Sequence, residues 1–387
     1  MEDCLFGDGR EIHFKPFWKF NTIGGKSNLN GAKVMALEDQ DGSETWVVSW
    51  IGLTLECKFP KKQADREYLL ESLDHEVKYC MVKRRQFGSG WKYYAVIVLD
   101  GSAPVKLEAG DGDGGLDPGV SMMAAVTDGG CFLEELAPKA AEYEKKIAGI
   151  QRRMDASKRA ANPERFNADG TYKKGSKGKW KLTERYKQLQ RQLRTLYRKK
   201  SEYTLHSHRE TCSRLLKAAK HFFVEKMDYA ALQKRSKNTE RQETASEVKQ
   251  KDGTVKMVHK YKRKKRFGKS IDGRSPSLFL DILKGKAEQC GGSYVEVNTK
   301  TYKASQYDHT TDTCTKVPLS QRSKEIGGHT VQRDLYSAFL IKHPDMELKH
   351  PDLDKCVYGF QKFLRQQEEL ITYMKANNLS MKQCFGF

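Results

Sequence analysis

An aspartate beside an apolar run constrains this chain more than any other feature of its sequence. The stretch GDGGLDPGVSMMAAVTDGG contains Asp117 just before the run from Val120 to Val126. A lone carboxylate among apolar side chains is costly, so Asp117 requires an exposed turn or a partner that offsets its charge. Aspartate before proline is ordinary turn chemistry, and both interpretations remain open here. We expect a glycine-rich joint over Gly110–Gly115, and we expect SMMAAV to be a central strand.

Two further acids lie in or beside apolar segments. The short strand predicted from FFVEKMDY contains Glu225, and Asp334 lies in the first turn of a helix predicted over His329–Ile341. Glu225 would also fit an edge strand, paired with Lys226. Asp334 would also fit as an acid favoured by the helix dipole or as an ion-pair partner of Arg333.

A divalent cation removes the cost of bringing such acids together. Hard oxygen ligands suit Mg²⁺, and Mn²⁺ is the alternative ion. Two such ions, about 4 Å apart, activate water and stabilise the leaving oxygen in phosphodiester cleavage. We therefore predict that Asp117, Glu225 and Asp334 together form a catalytic site for two ions.

The charge balance points to a polyanionic partner. The chain has 387 residues, with 70 Lys and Arg against 50 Asp and Glu, and its net charge is +20. Such a chain is attracted to nucleic acid. Apolar runs are all shorter than the ~20 residues of a spanning helix, so we expect no membrane partner. The nine cysteines include no CxxC pair, which favours a reducing cytoplasm over a disulfide framework.

The pattern along the chain predicts two domains and a tail. We expect a β-rich N-terminal domain over 1–112, a second domain over 113–342 and a helical tail over 343–387. Within the second domain we expect a basic helical arm over 137–221 and a mobile basic insertion over 234–275. The segment SPSLFLDILKGKAEQCGG predicts a helix capped by Ser275 or Ser277.

Basic side chains concentrate in the helical arm. Residues 151–200 contain 17 Lys or Arg against four acids, a surplus that favours a phosphate-facing surface over a merely solvated helix face. Trp180, Tyr186 and Tyr197 would stack on bases or belong to the core. The candidate nucleic-acid contacts are Arg152, Arg153, Lys158, Arg159, Lys187, Arg191, Arg194, Arg198, Lys262, Arg263 and Arg333.

Taken together, three motifs resemble those of the TnpB/OrfB proteins, the transposon-encoded RNA-guided nucleases related to type V CRISPR effectors. The stretch GLDPGVSMMAAVTDGG is similar to the family's first acidic motif. FFVEKMDY loosely resembles the second, and QRDLYSAFL resembles the third. The similarity extends from about Trp46 to the C-terminus.

The resemblance implies an α/β fold with an RNase H-like (RuvC) nuclease domain, a basic helical insertion and a preceding barrel-like, WED-type β domain. It implies a magnesium-dependent, RNA-guided DNA endonuclease with Asp117, Glu225 and Asp334 as its catalytic triad. Its partners would be a guide RNA from its own element and double-stranded target DNA, in the bacterial cytoplasm near the nucleoid. The alternatives are a nuclease-inactive RNA-guided or general nucleic-acid-binding protein, and a truncated, inactive transposon product.

The chain departs from the family pattern in two places. Family members usually carry a zinc ribbon before the third acid, whereas this chain offers Cys314, His309 and His329 there. One cysteine and two histidines at these spacings do not make a tetrahedral site, so we expect no zinc. The helical segment that usually precedes the β-rich part is also missing, and we expect a short N-terminal region.

Overall fold

The computed structural model describes residues 20–38, 40, 42, 44–88, 90–168, 170–173, 175, 178–233, 243–249, 253–259, 267–318 and 320–379. They form two compact units. The first unit comprises residues 1–106 and 157–195, and the second comprises 107–156 and 196–387. Both boundaries of the inserted segment fall within long helices. Of the predicted insertion over 234–275, residues 234–242, 250–252 and 260–266 lie outside the described residues.

Both units combine helices with antiparallel or mixed sheets, so the chain is a mixed α/β protein. The strands are β1 Thr22–Gly24, β2 Lys33–Glu38, β3 Glu44–Trp50, β4 Leu53–Glu56, β5 Glu76–Phe87, β6 Gly90–Asp100, β7 Asp113–Pro118, β8 Met122–Thr127, β9 Gly130–Glu135, β10 His221–Glu225, β11 Ser246–Lys249, β12 Val255–Val258, β13 Ser293–Val297, β14 Tyr307–Asp308, β15 Thr313–Cys314, β16 Ser323–Ile326 and β17 His329–Gln332. The helices are α1 Gln63–Leu73, α2 Ala140–Ala160, α3 Glu184–Ala218, α4 Tyr229–Gln233, α5 Gly268–Arg274, α6 Pro276–Gln289, α7 Thr299–Tyr302, α8 Arg333–Lys342 and α9 Leu353–Ala376.

In the first unit, two three-stranded antiparallel sheets share one small core. Their strand orders are β1-β5-β6 and β2-β3-β4. Val34 and Val48 come from one sheet and Cys80 from the other, and all three are buried together. The Val- and Tyr-rich sequence of this region predicts strands, and strands are what these residues form.

A five-stranded mixed sheet in the second unit has the order β13-β10-β7-β8-β9. β7, β8 and β9 are antiparallel, whereas β10 and β13 run parallel to β7. One face packs on α8 and α9, where Ala124, Val126 and Phe339 lie in a single core. The other face packs on the end of α3 and on α6, through Leu116 and Leu215.

The central strand differs from the one predicted. Residues 113–118 form β7, in the middle of the sheet, and SMMAAV contributes the neighbouring strand β8. Glycine is ordinarily unfavourable in strands, but Gly115 lies against the backbone of α8 at Ala338 and Lys342, where a Cβ atom would clash. Close helix packing therefore outweighs strand propensity, and half of the expected joint at 110–115, residues 113–115, is strand.

Two helix starts also differ from the prediction. His329–Gln332 is strand β17, and α8 begins only at Arg333, because these residues pair with β16 in a hairpin. At the start of α6, Ser275 occupies the cap position in a left-handed conformation and its side chain caps nothing. Ser277 lies inside the helix, so neither serine is a side-chain cap.

Candidate functional site: three carboxylates at one end of the central sheet

Asp117 and Glu225 lie side by side at the ends of two parallel strands. Leu116 of β7 is in register with Val224 of β10, and the next residue on each strand is the acid. Side chains alternate between the faces of a sheet. Leu116 and Val224 belong to the core under α3 and α6, so Asp117 and Glu225 face α8.

A hydrogen bond joins the side chains of Asp117 and Glu225. Burial raises the pKa of Asp117 well above its usual range, and the neighbouring Glu225 and Asp334 raise it further. Burial also raises the pKa of Glu225, although hydrogen bonds with Asp117 and Thr299 act in the opposite direction. Two carboxylates joined in this way share a proton, because both cannot remain ionised at such close range.

Asp334 lies in the first turn of α8 and is tied to two arginines. One of its oxygens accepts from Arg322 at 3.1 Å, and the other accepts from Arg333 at 2.8 Å. Gln332, whose side chain caps the helix by accepting from the backbone N–H of Leu335, also donates to Asp334 at 3.3 Å. Asp334 is close enough to raise the pKa of Asp117, yet its oxygens are engaged with cations.

These contacts decide between the alternative interpretations of Glu225. β10 lies between β7 and β13, so Glu225 is not an edge-strand residue, and Lys226 pairs with Glu296 instead at 3.3 Å. The ion pair of Asp334 with Arg333 is present, as one alternative predicts. Arg333 is itself buried, and it also donates to the Gln321 carbonyl.

Three supporting side chains have no local signal in the sequence. The Tyr229 hydroxyl donates to the carbonyls of Pro118 and Gly119, both at 3.3 Å, and so holds the turn that follows Asp117. Thr299, at the start of α7, donates to the Lys226 carbonyl at 2.6 Å. The third is Arg322. Each reaches the site by tertiary contact only.

The chemistry of the acids suits a divalent cation only in part. Asp117 and Glu225 offer adjacent carboxylate oxygens, which are ligands that Mg²⁺ prefers, and their shared proton indicates that a compensating positive charge would be favourable there. Across the described ranges, however, no group of three His, Cys, Asp or Glu side chains is arranged to hold a metal ion. Asp334 would have to exchange an arginine for the ion.

The two histidines and the cysteine that were considered as zinc ligands do not lie together as a metal site within the described part of the chain. His309 is buried, and its ring nitrogen Nδ1 lies 2.7 Å from the Tyr336 hydroxyl. Its ring also packs edge-on against Phe360. Cys314 and His329 are exposed. His309 therefore serves the core beside α8 and α9.

The candidate nucleic-acid contacts on α2 are partly engaged within the protein. Arg152 and Arg153 are exposed. Lys158 lies over the Trp180 ring at 3.7 Å, and Arg159 donates to the Gly170 carbonyl at 2.6 Å.

The candidate nucleic-acid contacts on α3 are also partly engaged within the protein. Lys187 pairs with Glu184 and Arg198 with Glu202 along the helix. Arg194 donates to Gln86 at 3.1 Å, and Arg191 is exposed. The remaining two candidates, Lys262 and Arg263, lie outside the described residues.

Similarity to known proteins is structural. No protein-family model and no curated protein matches the sequence. The chain aligns with the cryo-EM structure of a Cas12f1–sgRNA–target DNA complex at a TM-score of 0.41 and 12% identity. It aligns with the cryo-EM structure of a CRISPR-Cas12f ternary complex at a TM-score of 0.32 and 12% identity. Each alignment covers 84% of this chain but 59% of the other, so the chain spans less than two thirds of their length.

Among the residues that the structure describes, no helix is both long enough and apolar enough to cross a bilayer.

Proposed function

We propose that the chain is a metal-dependent, RNA-guided DNA endonuclease of the TnpB type, encoded by a transposon. Phosphodiester hydrolysis would take place at Asp117, Glu225 and Asp334. The partners would be a guide RNA from its own element and double-stranded DNA. The protein would hold the RNA–DNA heteroduplex by its backbone, while base pairing supplies the sequence specificity.

One observation carries this proposal: Asp117 and Glu225 lie side by side at the ends of adjacent parallel strands, with Asp334 beside them. A protein gains no stability from holding Asp117 against two acids that raise its pKa. Perturbed groups of this kind are concentrated at functional sites, where the unfavourable arrangement serves the chemistry. Parallel strands position the pair rigidly, because their register is fixed by the buried residues Leu116 and Val224.

Asp117 and Glu225 would hold Mg²⁺ or Mn²⁺, and Asp334 would join them after releasing Arg322 or Arg333. Two bound ions would supply activation of water and stabilisation of the leaving oxygen. The protein's own part is positioning: Tyr229 fixes the turn after Asp117.

Two broader features support the nuclease interpretation. The sheet of the second unit, with three antiparallel strands followed by two parallel ones, agrees with the RNase H-like (RuvC) fold that the motifs imply. Exposed cations on α2 and α3, among them Arg152, Arg153 and Arg191, agree with a phosphate-facing surface.

A second candidate is a nuclease-inactive protein that binds nucleic acid. The double ion pair of Asp334 with Arg322 and Arg333 favours it, since these arginines compete with metal for the carboxylate.

Two measurements on the purified protein test the proposal. First, RNA is extracted and sequenced; we expect a discrete species, and random cellular RNA would eliminate the guide. Second, the RNA-loaded protein is incubated with matching DNA and Mg²⁺. We expect cleavage by wild type and by Asp111→Asn, an exposed aspartate just before β7, and none by Asp117→Ala. Equal cleavage by Asp117→Ala would eliminate the acidic site, whatever the RNA result.

A further inference from the structure

The first unit contains a cavity that the acidic site does not use. Its volume is about 640 Å³, within the range of ~300–1,000 Å³ typical of ligand pockets. The cavity is open to solvent, because Tyr93 and Leu55 in its lining are exposed. A ligand can therefore enter it from outside.

The cavity has an apolar floor and an aromatic, cationic mouth. Val34, Val48, Val82 and Ile97, from both sheets of the unit, line the floor. Nearer the surface, the lining includes Phe59, Tyr93, Tyr94, Lys58 and Lys92, together with one acid, Glu56. A flat apolar ring system with an attached negative charge fits both parts at once.

The hairpin of β5 and β6 continues the same chemistry outside the cavity. Three of its aromatic side chains are exposed to solvent: Trp91 by 42%, Tyr93 by 65% and Tyr94 by 40%. β5 and β6 contain five Lys or Arg against two acids, Glu76 and Asp100, which are paired with each other at the end of the hairpin away from its turn. An exposed aromatic group marks an interaction surface, and the surplus of cations favours an anionic partner.

Cations and rings alternate across the hairpin. Arg84 lies over the Trp91 ring at 4.4 Å, and Arg85 lies over the Tyr94 ring at 5.5 Å. Arg84 and Tyr93 are directly paired across the two strands, so they share one face of the hairpin, the face that contains Ile97 and Val82. A ring with a guanidinium on one side can stack a base on its other side, which is how single-stranded nucleic acid is held without sequence preference.

We propose that this cavity and hairpin bind an unpaired nucleotide, with its base inserted beside Tyr93 and its phosphates against Lys58. The site goes beyond the proposed nuclease function, because it requires neither the carboxylates nor a metal. A base inside a base pair cannot enter the cavity, so single strands and extruded bases are its ligands, and a continuous duplex is not.

Binding of a fluorescein-labelled single-stranded oligoadenylate to the full chain, followed by anisotropy over a range of salt, tests the proposal. Loss of one stacked base weakens binding about 5-fold to 150-fold, and we expect this for Tyr93→Ala with an unchanged salt slope. Ala95→Phe, which fills the cavity, should act in the same way. Lys58→Gln should lower the salt slope by about one.

Two control variants test whether the loss of oligonucleotide binding is specific to the ring of Tyr93. Tyr358→Ala removes a tyrosine that is 93% exposed on α9 and should leave binding unchanged, while Tyr93→Trp should retain it. Ultraviolet crosslinking and mass spectrometry should place the oligonucleotide on the peptide that contains Tyr93. Thermal unfolding of each variant checks that it is folded.

Three outcomes would overturn the proposal. Wild-type affinity in both Tyr93→Ala and Ala95→Phe would mean that no base enters the cavity. If a duplex of the same length competes equally with the oligoadenylate, binding depends only on the charge of the nucleic-acid backbone. If these two substitutions change the sedimentation mass of the protein and leave oligonucleotide binding unchanged, the hairpin is a self-association surface instead. Each concerns binding alone, so the cleavage tests of the acidic site are unaffected.

Discussion

Replacement of Gly115 by alanine should displace α8 from the central strand. A Cβ atom at this position would lie 2.8 Å from the Cα atom of Lys342 and closer still to backbone atoms of Lys342 and Ala338. Ordinary van der Waals contacts begin near 3.4 Å, so the helix must move by more than half an ångström. Because the obstructing atoms belong to backbone, no rotamer change relieves the contact.

Overpacking of this kind costs about 1–3 kcal/mol. For a protein of this size, 1 kcal/mol shifts the melting temperature by roughly 2–4 °C, so we expect Gly115→Ala to melt about 2–12 °C below wild type. Asp334 lies on the same helix, and a displacement of about 1 Å at a catalytic group lowers the rate about 100-fold. Calorimetric or circular-dichroism melting measures the first effect, and a cleavage assay measures the second.

Gly285→Ala is the matched control for this prediction. Gly285 lies within α6, and a Cβ atom there would meet nothing within 4 Å. The same methyl group should stabilise this exposed helix position by about 0.5–1 kcal/mol. If Gly115→Ala melts as high as Gly285→Ala, the close approach of α8 to β7 is not a feature of the folded protein.

Three other predictions concern single side chains. The raised pKa of Asp117 means that, above the unfolded pKa of about 4, the folded protein holds a proton that the unfolded chain has released. Its stability then falls as the pH rises, so without divalent ions Asp117→Asn should melt above wild type at neutral pH and lose this advantage in acid; a lower melting temperature at neutral pH would contradict the raised pKa. Tyr229→Phe removes the donor to the carbonyls of Pro118 and Gly119 and should cost about 0.5–1.5 kcal/mol in urea unfolding, whereas unchanged stability would mean that this hydroxyl does not hold the turn. Burial lowers the pKa of His343 to about 4, so up to about 3 kcal/mol of stability should disappear as the pH falls from about 6.5 toward 4; an equal loss in His343→Gln would assign it to other groups.

Sequence patterns located the acids because a carboxylate beside an apolar run is unusual wherever it occurs. The patterns misplaced the central strand, since Gly114 and Gly115 lower strand propensity and only contact with α8 and with the Phe222 ring explains their presence. Similarly, the helix predicted from His329 begins only at Arg333, because pairing with β16 makes residues 329–332 a strand.

Of the two ion pairs of Asp334, only the one with Arg333 could be predicted from the sequence. Arg333 is adjacent in sequence and was one of the open alternatives. Arg322 precedes β16, and the hairpin of β16 and β17 returns it to the start of α8. Tyr229 is similar, because its contact with the turn after Asp117 spans 110 residues of sequence. Such long-range contacts depend on the folded topology, which no local pattern specifies.

Cleavage by Glu225→Gln, compared with Glu296→Gln, is the most direct measurement of the central claim. Both substitutions remove one negative charge at nearly the same shape, but Glu225 lies against Asp117, whereas Glu296 is partly exposed on β13 and pairs with Lys226. We expect the RNA-loaded Glu296→Gln protein to cut matching DNA in Mg²⁺ at the wild-type rate and Glu225→Gln not to cut it. Equal cutting by the two variants would contradict a catalytic role for the carboxylate pair.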